Sequence, residues 1–243
     1  MASRKILITG AAGRIGKVIK AGLKDRYEIR ILYNRTVLPP EPGEEVVRGN
    51  VSDLDKMVEA VEGVDAVVHL AGNPSTKATF EETVEANIRG TYSIYEAAHR
   101  AGVKRVILAS TNHVTGFYEK KLGVYTTPEM PVRPDSYYGA SKAYGEALGQ
   151  YYSDAFGLSV ICLRIGSFQP EKAVKERKSD RILSTWISHK DMVQLAWKCI
   201  EAPELVEFGI YYGISNNKRA YWDTQNARED VGYDPQDDAE EYA

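Results

Sequence analysis

The sequence predicts an α/β fold, a doubly wound parallel sheet with helices on both faces and a small C-terminal lobe. Two observations carry this. Short Val/Ile/Leu-rich runs alternate with amphipathic stretches of helical period along the first 165 residues, the pattern of strands buried on both faces and joined by crossover helices. The first run, Lys5–Thr9, is followed at once by Gly10-Ala11-Ala12-Gly13-Arg14-Ile15-Gly16, a glycine-rich turn opening a helix.

Taken in order, Lys5–Thr9 is a short apolar strand and Arg14–Leu23 the helix the glycines open. Tyr27–Tyr33 and Glu45–Arg48 are strands, separated by a Pro- and Gly-bearing loop at Pro39–Gly43. Leu54–Val61 is a helix, Ala66–Leu70 a strand, and Phe80–Arg100 one long helix. Strand Arg105–Ser110, helix Tyr138–Phe156, strand Leu158–Arg164 and helix Lys190–Ile200 follow. After Arg164 the signal weakens. The stretch Gln169–Asp180 is highly charged and the end, Asp234–Glu241, is acidic. The expected organisation is one unit over 1–243, with a dinucleotide-binding core at 1–165 and 166–243 mainly a substrate-binding lobe.

Composition narrows the function. A chain of 243 residues buries a full core as one domain, and its net charge of −3 points away from nucleic acid and anionic membranes. No apolar stretch approaches the roughly 20 residues of a membrane span. Met1-Ala2-Ser3-Arg4-Lys5 runs directly into the first strand without the pattern of a signal peptide. Cys162 and Cys199 lie in apolar surroundings and read as buried thiols of a reducing compartment. His69, His99, His113 and His189 are scattered, without metal-ligand spacing. A cytoplasmic, metal-free protein is expected.

The candidate chemistry lies at the strand ends, where open α/β sheets bind ligands. Gly10 permits the tight turn, Gly13 lets backbone approach a pyrophosphate, and Gly16 allows close helix–strand packing. The helix N-terminus offers unpaired N–H groups to phosphate. The spacing G-x-x-G-x-x-G is one residue longer in its first gap than the usual fingerprint. In Tyr138-Gly139-Ala140-Ser141-Lys142, phenol and ammonium stand one helical turn apart on one face. A cation there is expected to pull the phenol toward working pH, as a general base for an alcohol requires. Other strands stop at Ala71-Gly72-Asn73-Pro74-Ser75, at Ser110-Thr111-Asn112-His113, and at Arg164-Ile165-Gly166-Ser167. Each such cluster alone is equally consistent with a turn or a helix cap.

Together these residues resemble the extended short-chain dehydrogenase/reductases, a Rossmann-type family. The resemblance spans the glycine motif, Leu70-Ala71-Gly72, Asn87, Ser110-Thr111, Tyr138 with Lys142, and Ile187-Ser188-His189-Lys190-Asp191-Met192-Val193. Within that family, Ala109–Gly116, Arg164–Ser167, Arg181–His189 and Tyr221-Trp222-Asp223 are similar to the uronate dehydrogenases, which oxidise galacturonate or glucuronate at C1 to an aldarolactone. The resemblance implies an NAD or NADP cofactor, a small sugar acid as substrate, and a homo-oligomer. It implies that Tyr138 takes the anomeric proton, Lys142 assists and bonds the nicotinamide ribose, and Thr111 bonds the reacting oxygen. Gly10, Gly13, Arg14, Ile15, Gly16, Asn34, Arg35, Asn50, Val51, Leu70, Ala71, Gly72, Asn87 and Ile165, with Tyr138 and Lys142, fall at its cofactor positions. Ser75, Thr111, Asn112, His113 and Ser167 fall at its sugar positions, and Arg181 at that of the arginine holding the carboxylate. His113 as a packed histidine and Arg181 as a solvated one are the rival readings.

Three departures qualify it. The second strand ends Tyr33-Asn34-Arg35 rather than in an acid, so acceptance of NADP is expected. Asn50 replaces the usual aspartate near adenine, a mild change. The insert Glu171–Asp180, rich in cations, reads as a solvated loop or as a sugar-phosphate site, which would make glucose 6-phosphate the substrate. A nucleotide-sugar epimerase or dehydratase needs a larger lobe than the residues after Ile165 supply. A non-catalytic dinucleotide sensor tends to lose the Tyr–Lys pair that is present here.

Overall fold

The computed structural model describes residues 4–34, 36, 39–122 and 124–243. In chain order the elements are β1 (Lys5–Thr9), α1 (Arg14–Leu23), β2 (Glu28–Tyr33), β3 (Glu45–Arg48), α2 (Leu54–Val61), β4 (Ala66–His69), α3 (Phe80–Thr83), a π-helical turn (Val84–Arg89) and α4 (Gly90–Arg100). Then come β5 (Arg105–Thr111), α5 (Tyr137–Phe156), β6 (Ser159–Ile165), β7 (Ser167–Phe168), α6 (Glu171–Arg177), α7 (Asp180–Thr185), β8 (Trp186–Ile187), α8 (His189–Ile200), β9 (Phe208–Gly213) and α9 (Gln225–Val231).

Seven strands form one sheet in the order β3-β2-β1-β4-β5-β6-β9, all neighbours parallel. Alternate side chains of each strand serve opposite faces. Ile6, Ile8, Val68 and Ile161 pack with Ile19 and Leu23 of α1 and Met192 and Leu195 of α8. Leu7, Val67, Val106 and Val160 pack with Met57 of α2, Ile94 and Tyr95 of α4 and Tyr152 of α5. Both faces are therefore covered, as a parallel sheet requires. Strand order reverses between β1 and β4, so the crevice that binds ligands in such sheets opens at the carboxyl ends of these two strands. Thr9 and His69 close its floor: Thr9 Oγ1 lies 2.8 Å from His69 Nδ1, and the Ala71 N–H donates to Thr9 Oγ1 at 3.2 Å.

Three sequence expectations are corrected. The stretch Phe80–Arg100 is interrupted by the π-turn, which carries Ala86 and Asn87; beyond it, Gly90 packs so closely that a Cβ there would lie 2.7 Å from Val51 Cγ2. The insert at 171–180 is solvated, with most of its residues exposed, but it is not a loop. Its first seven residues form α6, seated by a fully buried Val174 in a small cluster with Ile182, Leu183 and Trp186. Finally, Ile165 is no boundary in space. β9 is the seventh strand of the sheet and α8 lies against α1, so the lobe is confined to β7, β8, α6, α7 and the segments packed on them. β9 escapes sequence reading because Phe208-Gly209-Ile210-Tyr211-Tyr212-Gly213 lacks an aliphatic run.

Candidate active site

The glycine turn is built for a close approach. Gly10 has φ +67°, and a Cβ there would lie 2.8 Å from the Ala71 nitrogen; one on Gly16 would lie 2.7 Å from Ala11 Cα. Only glycine fits either place. No side chain caps α1 at Gly13, which leaves its first-turn N–H groups open to an anion. Gly10, Gly13, Arg14, Ile15 and Gly16 line a cavity of about 830 Å³ together with Asn34, Asn50, Val51, Leu70, Ala71, Gly72 and Ile165. This glycine cradle, uncapped helix end and long cavity fit a dinucleotide. Arg35 lies outside the described residues. Ala86 and Thr36 also line the wall, and no motif singled them out.

Asn87 and Ser75 stand apart from that wall. Asn87 is fully buried; it accepts from the Asn73 N–H at 2.7 Å and donates to Asn73 O at 3.1 Å and to Ser141 Oγ at 2.9 Å. It thereby ties the loop after β4 to α5. The Ser75 hydroxyl accepts from the Lys77 N–H at 3.2 Å in an exposed turn.

Farther along the cavity, Ser136 caps α5 by accepting from the Gly139 N–H at 3.1 Å, which sets the first turn that bears Tyr138. Tyr138 and Lys142 both line the cavity. Burial pushes the Tyr138 phenol above its ordinary value, and the Thr111 hydroxyl beside it pulls it back. Burial pushes the Lys142 ammonium down to about 8, while Glu146 one turn on acts to raise it. The expected lowering of the phenol by Lys142 is thus not what dominates here. Withdrawal from water disfavours the charged form of both groups, and Thr111 is the contact that favours phenolate. Behind Lys142, His69 is fully buried and held neutral, its pKa pushed down to about 3 by burial and by the Lys142 charge. A buried network braces this helix. Arg164 Nε and Nη2 donate to Glu146 at 3.0 and 2.8 Å, and Ser110 Oγ donates to it at 2.6 Å.

At the other end the structure brings together Thr111, Asn112, His113, Ser167 and Arg181. Arg181 Nη1 donates to Ser167 Oγ at 2.9 Å, and its Nε donates to Glu119 Oε1 at 2.6 Å. With its amide oriented to donate to Ile165 O, Asn112 accepts from Arg181 Nη2 at 3.1 Å. His113 Nδ1 lies 2.9 Å from Asp135 Oδ2, and the His113 ring sits 6.0 Å from that of Tyr138. Burial alone would raise the Asp135 carboxyl, but Lys120 and His113 hold it below its ordinary value. Sequence reasoning missed Asp135 and Glu119, which reach His113 and Arg181 from 22 and 62 residues away, and Glu146, one turn on from Lys142, whose partner Arg164 lies 18 residues away. Of the cations in the insert Glu171–Asp180, Arg177 lines the cavity together with Ser179 and Arg181.

A switch-point crevice with a glycine cradle, and a Tyr–Lys pair beside a polar cluster around Arg181, define a dinucleotide-dependent class of α/β protein. The chain belongs to the NAD dependent epimerase/dehydratase family, whose pattern matches residues 6–199. It is 41% identical over 238 residues to a uronate dehydrogenase of Pseudomonas syringae pv. tomato, covering 97% of this chain and 83% of that one. It is 37% identical over 254 residues to an NAD-dependent glucose-6-phosphate dehydrogenase of Haloferax volcanii, covering 98% and 95%. A crystal structure of a uronate dehydrogenase mutant from Agrobacterium tumefaciens complexed with NAD superposes with a TM-score of 0.90 at 35% identity, over 99% of this chain and 88% of that one.

Proposed function

We propose that the protein oxidises the anomeric C1 hydroxyl of a hexuronic acid, galacturonate or glucuronate, to the aldarolactone with NAD or NADP. The observation that carries this reading is the cluster of Arg181, Ser167 and Asn112, an anion-holding group in the same cavity as Tyr138 and Thr111. The identity to uronate dehydrogenases over nearly the whole chain supports it.

In this reading Tyr138 accepts the proton of the C1 hydroxyl and Thr111 hydrogen-bonds the same oxygen. Lys142 supplies the nearby positive charge and bonds the cofactor's ribose. The Nη edge of Arg181 takes the substrate carboxylate, Ser167 and Asn112 yielding their places on it. His113, with Nδ1 held by Asp135, presents Nε2 to a sugar hydroxyl. Residues 10–16 and the walls from Asn34 to Gly72 hold the dinucleotide, which when bound supplies the hydride acceptor. Residues 1–165 hold most of the cofactor site, and the lobe after β6 supplies Ser167 and Arg181. The enzyme works in the cytoplasm as a homo-oligomer. Two buried free thiols support the first, and exposed Tyr92, Tyr144 and Tyr151 on α4 and α5 support the second. No helix among the described residues is long and apolar enough to cross a membrane.

A second reading, oxidation of glucose 6-phosphate, is favoured by Arg177, a further cation on the same wall, and by the Haloferax relative. Galacturonate, glucuronate and glucose 6-phosphate, assayed side by side with both cofactors, separate the two. Uronate turnover that disappears in Tyr138→Phe while cofactor binding persists is the expected result. Turnover of glucose 6-phosphate without any uronate oxidation rejects the first reading.

A further inference from the structure

Arg181 does not meet the cavity with a free guanidinium. Glu119, on the π-helical turn Tyr118–Leu122, takes the Nε edge in an ion pair at 2.6 Å. The Glu119 side chain is only 20% exposed, and its charge helps push the neighbouring Tyr221 phenol above its ordinary value, after burial. Among the described residues the Nη edge has neutral partners, the Ser167 hydroxyl and the Asn112 amide. A ligand can displace these two without breaking an ion pair.

From this arrangement we infer that Glu119 is the specificity-determining residue of the anion end, selecting a monoanionic carboxylate over a dianionic phosphate. The inference rests on the reading above that Arg181 holds the sugar's anion. Held by Nε, the guanidinium is fixed with its two Nη groups side by side, a fork that takes carboxylate or phosphate alike, so the discrimination comes from charge. Glu119 offsets the Arg181 charge, so the pair offers hydrogen bonds with no net positive charge and repels a dianion more than a monoanion. Arg177 adds a cation on the same wall but has no partner fixing it there among the described residues. One extra unit of repulsion at ~6 Å, near a protein surface, weakens binding about tenfold or more.

The test compares wild type with Glu119→Gln and Glu119→Asp on galacturonate, glucose 6-phosphate and a neutral aldose such as galactose. In Glu119→Gln the ratio of kcat/KM for glucose 6-phosphate to that for galacturonate is expected to rise about tenfold through KM, with kcat and the neutral aldose unchanged. Glu119→Asp, which keeps the charge, is expected to retain the wild-type ratio. A ratio within about twofold of wild type in Glu119→Gln overturns the inference, as does an equal loss on the neutral aldose. Failure of the uronate reading shows separately, as wild-type protein that oxidises no uronate. In that event, inhibition of whichever sugar is oxidised, by inorganic phosphate against acetate, still reads Glu119. The phosphate inhibition constant is expected to fall about tenfold relative to that of acetate in Glu119→Gln, and an unchanged ratio overturns the inference.

Discussion

Replacing Glu146 by alanine removes the one carboxylate in a buried network that joins α5 to the ends of β5 and β6. Its side chain is 4% exposed and that of Arg164 1%. Both oxygens are used, one by Arg164 Nε and Ser110 Oγ and the other by Arg164 Nη2. After the substitution the partners left to the Arg164 guanidinium among the described residues are Pro128 O, at 3.2 Å, and the Tyr212 ring, at 5.6 Å. A charge buried without its counter-ion destabilises by about 3–5 kcal/mol. In a chain of this length that lowers Tm by about 10 °C. Urea unfolding followed by far-ultraviolet circular dichroism reads the loss as a lower midpoint. Glu146→Met combined with Arg164→Met removes both charges and should recover at least half of it, because the unpaired ion rather than lost attraction is the cause. The same change withdraws an influence that raises Lys142, so the Lys142 ammonium should titrate below about 8 in Glu146→Gln. A stability loss under about 1 kcal/mol in Glu146→Ala, or a double variant less stable than the single, would refute the reasoning.

Two further outcomes are expected. Asn34 lines the cavity where an acid would repel a 2′-phosphate, so NADP should be turned over at least as well as NAD; Asn34→Asp should move the kcat/KM ratio about tenfold toward NAD, and a tenfold wild-type preference for NAD sinks the idea. Lys142 titrates at about 8 when folded, against an ordinary value of 10.5. Below about 8 both states hold the proton and the burial penalty is fully present; between 8 and 10.5 the unfolded chain binds more protons, so the penalty is relieved as pH rises. Relative to Lys142→Met, wild type should gain about 3 kcal/mol across that window, and a stability difference that stays flat with pH contradicts it.

The sequence by itself determined what depends on neighbours along the chain. β1, α1, β3 and α2 fall at the boundaries their apolar periods predict, because period and flanking turn residues act locally. The glycine motif was legible for the same reason. Gly10, Gly13 and Gly16 answer to a turn within seven residues, and Tyr138 and Lys142 share a helix face by spacing alone. Only the tertiary structure decided the rest. β9 is a strand because β6 offers it an edge, and α6 is a helix because Val174 finds a cluster to bury in. Asp135 reaches His113 across 22 residues, Arg164 reaches Glu146 across 18, and Glu119 reaches Arg181 across 62. No periodicity records such pairings, since only the folded sheet brings these charges within reach of one another. Burial, which also exists only after folding, then reversed the simple expectation for Tyr138, holding its phenol up where sequence spacing to Lys142 alone argued for a lowered one.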